Sequence, residues 1–101
     1  MLKYVALYRA PSDPDEFDRH YYGEHMPLIA ETPGLRRAEV AKVTRTFVGE
    51  PEYYVMAEMY FDDLDAFKAA SRSDAWRASG ANLQEWGGME LVTMFTAEVA
   101  D

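Results

Sequence analysis

Two histidines, His20 and His25, stand five residues apart in the stretch Asp13 to Ile29, DPDEFDRHYYGEHMPLI, with Tyr21, Tyr22 and Glu24 between them. An imidazole with its ordinary pKa of ~6.5 exchanges protons readily at neutral pH, and phenols and carboxylates are its usual partners in acid/base work. The chemistry this segment could do is therefore proton transfer, provided that a helix brings the groups to one side.

Asp13 can accept from the first free amides of a helix, Pro14 loses nothing at the first position, and Glu16 completes an Asp-x-x-Glu capping box. A helix is predicted to begin at Pro14. At ~100° per residue, Phe17, Tyr21, Glu24, His25 and Leu28 fall in one stripe, with Tyr22 and Ile29 at its margin. Pro27 removes a donor and crowds the Gly23 carbonyl, so a kink or break is expected between Gly23 and Pro27.

Other chemistries are poorly supported. Helical zinc ligands usually stand four apart; His20 and Glu24 do, but they are only two ligands and read as a surface pair, so no metal is expected. The serines show no nucleophile elbow, cysteine is absent, and there is neither a Gly-x-Gly-x-x-Gly nor a Walker loop. No cofactor is expected. With 18 acidic residues against 10 basic and a net charge of -8, the chain is unsuited to phosphate backbones or anionic lipid. No segment has bilayer length or the form of a signal peptide, so the expectation is a cytoplasmic protein without nucleic-acid or membrane partners. What remains is general acid/base work by His25 with Tyr21, inside a cavity to which Phe17, Glu24, Leu28, Tyr60, Trp76 and Trp86 are the candidate contributors.

The elements that must position these residues follow from period and punctuation. The 101 residues fit one domain. Leu2 to Arg9 alternates as a strand, with Leu2, Tyr4, Ala6 and Tyr8 on one face. Leu35 to Val43 reads as a charged edge strand with a bulge near Ala41, and Thr44 to Glu52 as a loop carrying Phe47 and Val48. In Tyr53 to Phe61, residues 53, 55, 57, 59 and 61 share one face, and Tyr54, Met56, Glu58 and Tyr60 the other. Asp62 is the expected cap of the second helical region, which restarts at Ser73, places Trp76, Gly80 and Leu83 on one side and ends at Trp86-Gly87-Gly88. Met89 to Val99 is the last strand.

This order is the split βαβ signature of a ferredoxin-like α+β domain, βαββαβ, with a four-stranded antiparallel sheet and strands one and three central. Neither face of Tyr53 to Phe61 suits water, yet the chain has helices for only one. A homodimer is the expected cover for the other.

The Asp-Pro helix start, then His20-Tyr21, then His25-Met26-Pro27-Leu28, in a chain of this length, resembles the EthD family. The resemblance spans nearly the whole chain and is sharpest at His-x-Pro-Leu. It implies a dimeric α+β barrel, a class that includes cofactor-free isomerases, polyketide cyclases and monooxygenases, along with haem-handling relatives. It also implies that His25 faces a pocket between helix and sheet and handles a small hydrophobic, cyclic or aromatic molecule. The expected function is cofactor-independent isomerase, cyclase or oxygenase chemistry on an aromatic, lactone or polyketide-like catabolite. The alternative is a non-catalytic binder of such a molecule in a degradation pathway. Haem ligation by His25 is disfavoured, because few basic residues are on hand for propionates.

Overall fold

Asp13 accepts from the Glu16 amide at 3.2 Å, and Pro14 opens helix α1, Pro14–His20. The computed structural model describes residues 1–100. After strand β1 (Leu2–Arg9) come α1, a π-helical turn over Tyr21–His25 and helix α2 (Met26–Ala30). Strands β2 (Arg37–Lys42) and β3 (Tyr53–Phe61), helices α3 (Leu64–Ser71) and α4 (Asp74–Trp86), a 3-10 turn at Gly88–Glu90 and strand β4 (Val92–Glu98) complete the chain.

The strands form one antiparallel sheet in the order β2-β3-β1-β4. With the helices on one face, this is the ferredoxin-like α+β fold that the element order predicts. Strands β1 and β3 are central and β2 is an edge, its residues mostly exposed. Tyr8, Ala6, Val55, Ala57, Met59 and Phe61 form the sheet side of the core, and Phe17, Tyr21, Ile29, Ala70 and Leu83 the helix side.

Four local expectations are corrected. The disturbance expected between Gly23 and Pro27 overlaps that span but starts earlier and is not a break: a π turn over Tyr21–His25, where the Met26 amide reaches back to the Tyr21 carbonyl in an i to i−5 bond. The cap of α3 is Asp63, whose carboxylate accepts from the Ala66 amide at 2.8 Å; Asp62 instead makes a bidentate pair with Arg36. Strand β4 starts at Val92, because Gly87, at φ 87°, ends α4 in the left-handed conformation and the 3-10 turn takes up Gly88 to Glu90.

The bulge is the fourth. Ala41 pairs in unbroken register with Met56, and the shift falls opposite Tyr8 and Arg9, which pair with Val55 and Tyr53 and leave Tyr54 as the extra residue. Released from alternation, Tyr54 packs edge-on against Phe17 and donates to Asp18 at 2.9 Å, beside Lys42. It thereby leaves the face of Met56, Glu58 and Tyr60. No element among the described residues covers that face. Lys3 pairs with Glu58 at 3.5 Å, Arg37 lies 4.2 Å over the Tyr60 ring, and Phe95 is 44% exposed.

The two adjacent aspartates offer a clean test of the cap. Asp63→Ala is expected to lower Tm by about 4 to 8 °C through the lost hydrogen bond to the first turn of α3. Asp62→Ala, losing an exposed pair, should leave Tm close to wild type. Calorimetry of the two variants checks it, and equal effects would contradict the assignment.

Candidate functional site

The π turn decides which residues of the first helical segment face the sheet. In an uninterrupted α-helix, side chains four apart drift by roughly 40° per step, so a stripe of Phe17, Tyr21, His25 and Ile29 would wind off the core. One extra residue in the turn over Tyr21–His25 cancels much of that drift, and all four are buried. Glu24 is rotated to the outside, and Leu28 is left half-buried.

His25 is 5% exposed. Its Nδ1 lies 3.1 Å from the Ser79 carbonyl of α4. A carbonyl only accepts, so Nδ1 carries the proton and Nε2 holds the lone pair. Burial pushes the imidazole pKa down to about 4, against an opposing effect of the Ser79 carbonyl. His25 is therefore neutral at pH 7. Among the described residues, Thr32 Oγ1 is the one fully buried side-chain polar atom without a partner. Nε2 of His25, which no described residue bonds, is thus not sealed in.

The imidazole borders a cavity of about 110 Å³ between the helices and the sheet. Tyr4, Tyr8, Tyr21, Trp76, Met59 and Met94 supply much of its wall, and among the described residues no carboxylate, ammonium or guanidinium group lines it. The Tyr21 ring stacks beside His25, with centroids 5.4 Å apart, and meets Tyr8 edge-on at 5.0 Å. Burial raises both phenols well above the ordinary tyrosine value, the neighbouring phenol adding to the rise at Tyr8. Tyr4, whose hydroxyl points to the Met94 sulfur, is pushed up to about 12, also by burial. All three stay protonated and can donate, while His25 can accept.

Of the residues singled out from sequence, His25, Tyr21 and Trp76 line this cavity. Phe17 is buried but packs between Tyr8, Tyr21, Tyr54 and Trp86. Glu24 faces outward, accepting from Asn82 at 3.0 Å and held 3.1 Å from His20 Nδ1, and these hydrogen bonds, that of His20 first, keep its carboxyl below the usual range. Trp86 belongs to the same outer network: its ring stacks on His20 and its Nε1 donates to Asn82 at 2.8 Å. Tyr60 sits on the open face of the sheet, donating to Glu58 at 2.9 Å, and Leu28 does not reach the cavity. Among the described residues no group of three or more histidines and carboxylates is placed to hold a metal, and no helix is long and apolar enough to cross a membrane.

Among the wall residues not singled out, Tyr4, Tyr8, Met59 and Met94 come from strands. Their signal was present: Tyr4, Ala6 and Tyr8 alternate on one face of β1, and Met59 and Met94 are paired to that same face. Nothing in one strand's sequence says which of its faces receives the helix bearing the histidine.

Sheet order and helical layer define a ferredoxin-like α+β protein, with an aromatic-lined cavity between helices and sheet. A family model described as the EthD domain matches residues 9–85. The chain therefore belongs to the EthD family. The crystal structure of an ethyl tert-butyl ether D (EthD) family protein from Bacillus halodurans superposes with a TM-score of 0.92 at 37% identity, covering 99% of each chain. More distant structures share the fold alone. A dimeric ferredoxin-like protein from Thermobifida fusca gives a TM-score of 0.72 at 18% identity over 97% of this chain and 90% of that one. SnoaB, a cofactor-independent oxygenase from Streptomyces nogalater, gives 0.64 at 18% identity over 98% of this chain and 91% of that one.

The His25 environment carries a pH signature. Its folded pKa of about 4 lies below the ordinary 6.5, so between those values the unfolded chain binds more protons than the folded one. Stability should be at its plateau above about pH 6.5 and fall as pH drops toward 4, by on the order of 2 to 3 kcal/mol. His25→Gln should flatten the profile across that window, as read by urea midpoints from pH 7 to 4. An unchanged slope would show that His25 does not titrate there.

Proposed function

We propose that the protein is a cofactor-independent acid/base enzyme that binds a neutral cyclic or aromatic molecule against His25. The observation that carries this reading is a buried, neutral histidine whose proton is committed to Ser79, leaving a lone-pair nitrogen at an uncharged cavity lined by protonated phenols. In this reading Nε2 takes a proton from an acidic O–H or C–H of the ligand. The Ser79 carbonyl steadies the imidazolium through Nδ1, and Tyr8 or Tyr21 donates to the oxygen where negative charge develops.

Base strength narrows the substrate. Against a phenol-like group near pKa ~10, a base at about 4 faces a mismatch of about six units, roughly 8 kcal/mol before any stabilisation. The nascent oxyanion lowers that cost, because a negative partner in a dry cavity raises the imidazolium pKa again. Phenols, enols and 1,3-dicarbonyls are within range and ordinary ketones are not. These are groups that aromatic and polyketide-like catabolites carry, consistent with isomerase, cyclase or oxygenase chemistry. The same low pKa favours a second reading, in which His25 only accepts a ligand hydroxyl and the protein is a carrier. A haem is a poor fit: the cavity is nearer in size to one small ring, and no cation lines it for propionates.

The open sheet face, with its half-exposed Phe95 and the Lys3–Glu58 and Arg37–Tyr60 pairs, supports a homodimer joined face to face. Dimeric ferredoxin-like proteins of this fold support it further. Sedimentation at low micromolar concentration is expected to give twice the chain mass, and a monomeric mass would overturn the assignment.

A panel of neutral hydroxyarenes and cyclic 1,3-diketones, 1-naphthol among them, tests the chemistry. Binding is measured by calorimetry and conversion by mass spectrometry. His25→Ala is expected to remain folded and to lose turnover by about 10²-fold or more, with His20→Ala close to wild type. Binding without turnover in the wild type would select the carrier, and equal losses in both variants would refute the role of His25.

A further inference from the structure

Gly80 is a residue that the fold alone does not explain. It lies at the middle of α4, six residues from either end, where glycine is a poor helix former. The usual reasons for a glycine are missing. Its backbone is not left-handed. A Cβ built on it meets no heavy atom within 4 Å outside its own helix, so no neighbour demands the close approach either. Yet it lines the cavity, on the same face of α4 as Trp76, Ser79 and Leu83.

The cavity itself supplies a reason. Its volume of about 110 Å³ is below the roughly 150 Å³ of an apolar cavity known to hold benzene. A ligand of more than one ring must therefore extend out of the enclosed part. The wall is not sealed on this side: Gly80 is half-buried, as are Trp76, Tyr4 and Met94, and Met89 is 36% exposed. A side chain at position 80 would stand in the open space that the missing Cβ leaves at this part of the wall.

We propose that Gly80 sets the width of the ligand: its missing side chain leaves room for the second ring of a neutral, flat, fused-ring molecule whose first ring lies at His25. The inference rests on the binding reading of this cavity, and not on catalysis by His25.

Phenol and 1-naphthol, titrated calorimetrically into the wild type, Gly80→Ala and Gly80→Val, test it. Wild type should bind both. Gly80→Val should lose about 10-fold or more of its affinity for 1-naphthol while phenol changes by less than about 3-fold, with Gly80→Ala between. Gly80→Ala should also raise Tm by about 3 to 6 °C, because a methyl in open space adds helix propensity without a clash. This keeps the test sound should the valine variant fold poorly.

Undiminished 1-naphthol binding in both variants would overturn the proposal, as would equal losses for the two rings or a lowered Tm in Gly80→Ala. Failure of either ring to bind the wild type would remove the binding reading with it. A graded Gly80 series beside unimpaired turnover in His25→Ala would leave this inference standing and defeat the catalytic one.

Discussion

The hydrogen bond from His25 Nδ1 to the Ser79 carbonyl joins the two helical regions across the top of the sheet, and the character of the site depends on it. It selects one tautomer, so the other ring nitrogen is an acceptor. It also anchors the end of the π turn against the middle of α4, with the cavity beneath the junction. Burial works against charge here, and one carbonyl does not offset it, so the imidazole is neutral where an exposed one would be partly protonated.

The surroundings keep that state. Rings from β1, the π turn and α4 pack at centroid separations near 5 Å, from Tyr4 on Trp76 to Tyr8 on Tyr21 and Tyr21 on His25. Such a wall is apolar in bulk yet carries hydroxyls, which suits recognition of a flat ring with one or two oxygens. The charged groups are sorted elsewhere. His20, Glu24, Asn82 and Trp86 link the first helical segment to α4 outside the cavity, and Asp18, Lys42 and Tyr54 tie α1 to the sheet edge. The two histidines, five residues apart, thus have opposite situations: one is held among carboxylates at the surface, the other is buried beside an uncharged cavity.

The sequence by itself determined the element order, the start of α1 at Asp13-Pro14, the central place of β1 and β3 and the edge position of β2. These rest on local capping and on period-two alternation, which act within a few residues. It also singled out His25, Tyr21 and Trp76, because an imidazole and large aromatics are conspicuous in themselves. Tertiary structure decided the rest. The phase of the His25 face turned on a single π turn, which carried Glu24 and Leu28 off a stripe that an ideal helix would give them. The unpaired Tyr54 escaped its alternation through a bulge whose place depends on how β1 and β3 align. Trp86 and Tyr60 were sent to an outer network and to the open face of the sheet, whereas Tyr4, Tyr8 and Met94 were brought to the cavity. The physical reason is common to all of them: a one-residue change in register or helical phase costs little locally, yet it moves a side chain to the opposite surface, and only packing between distant segments selects among such alternatives.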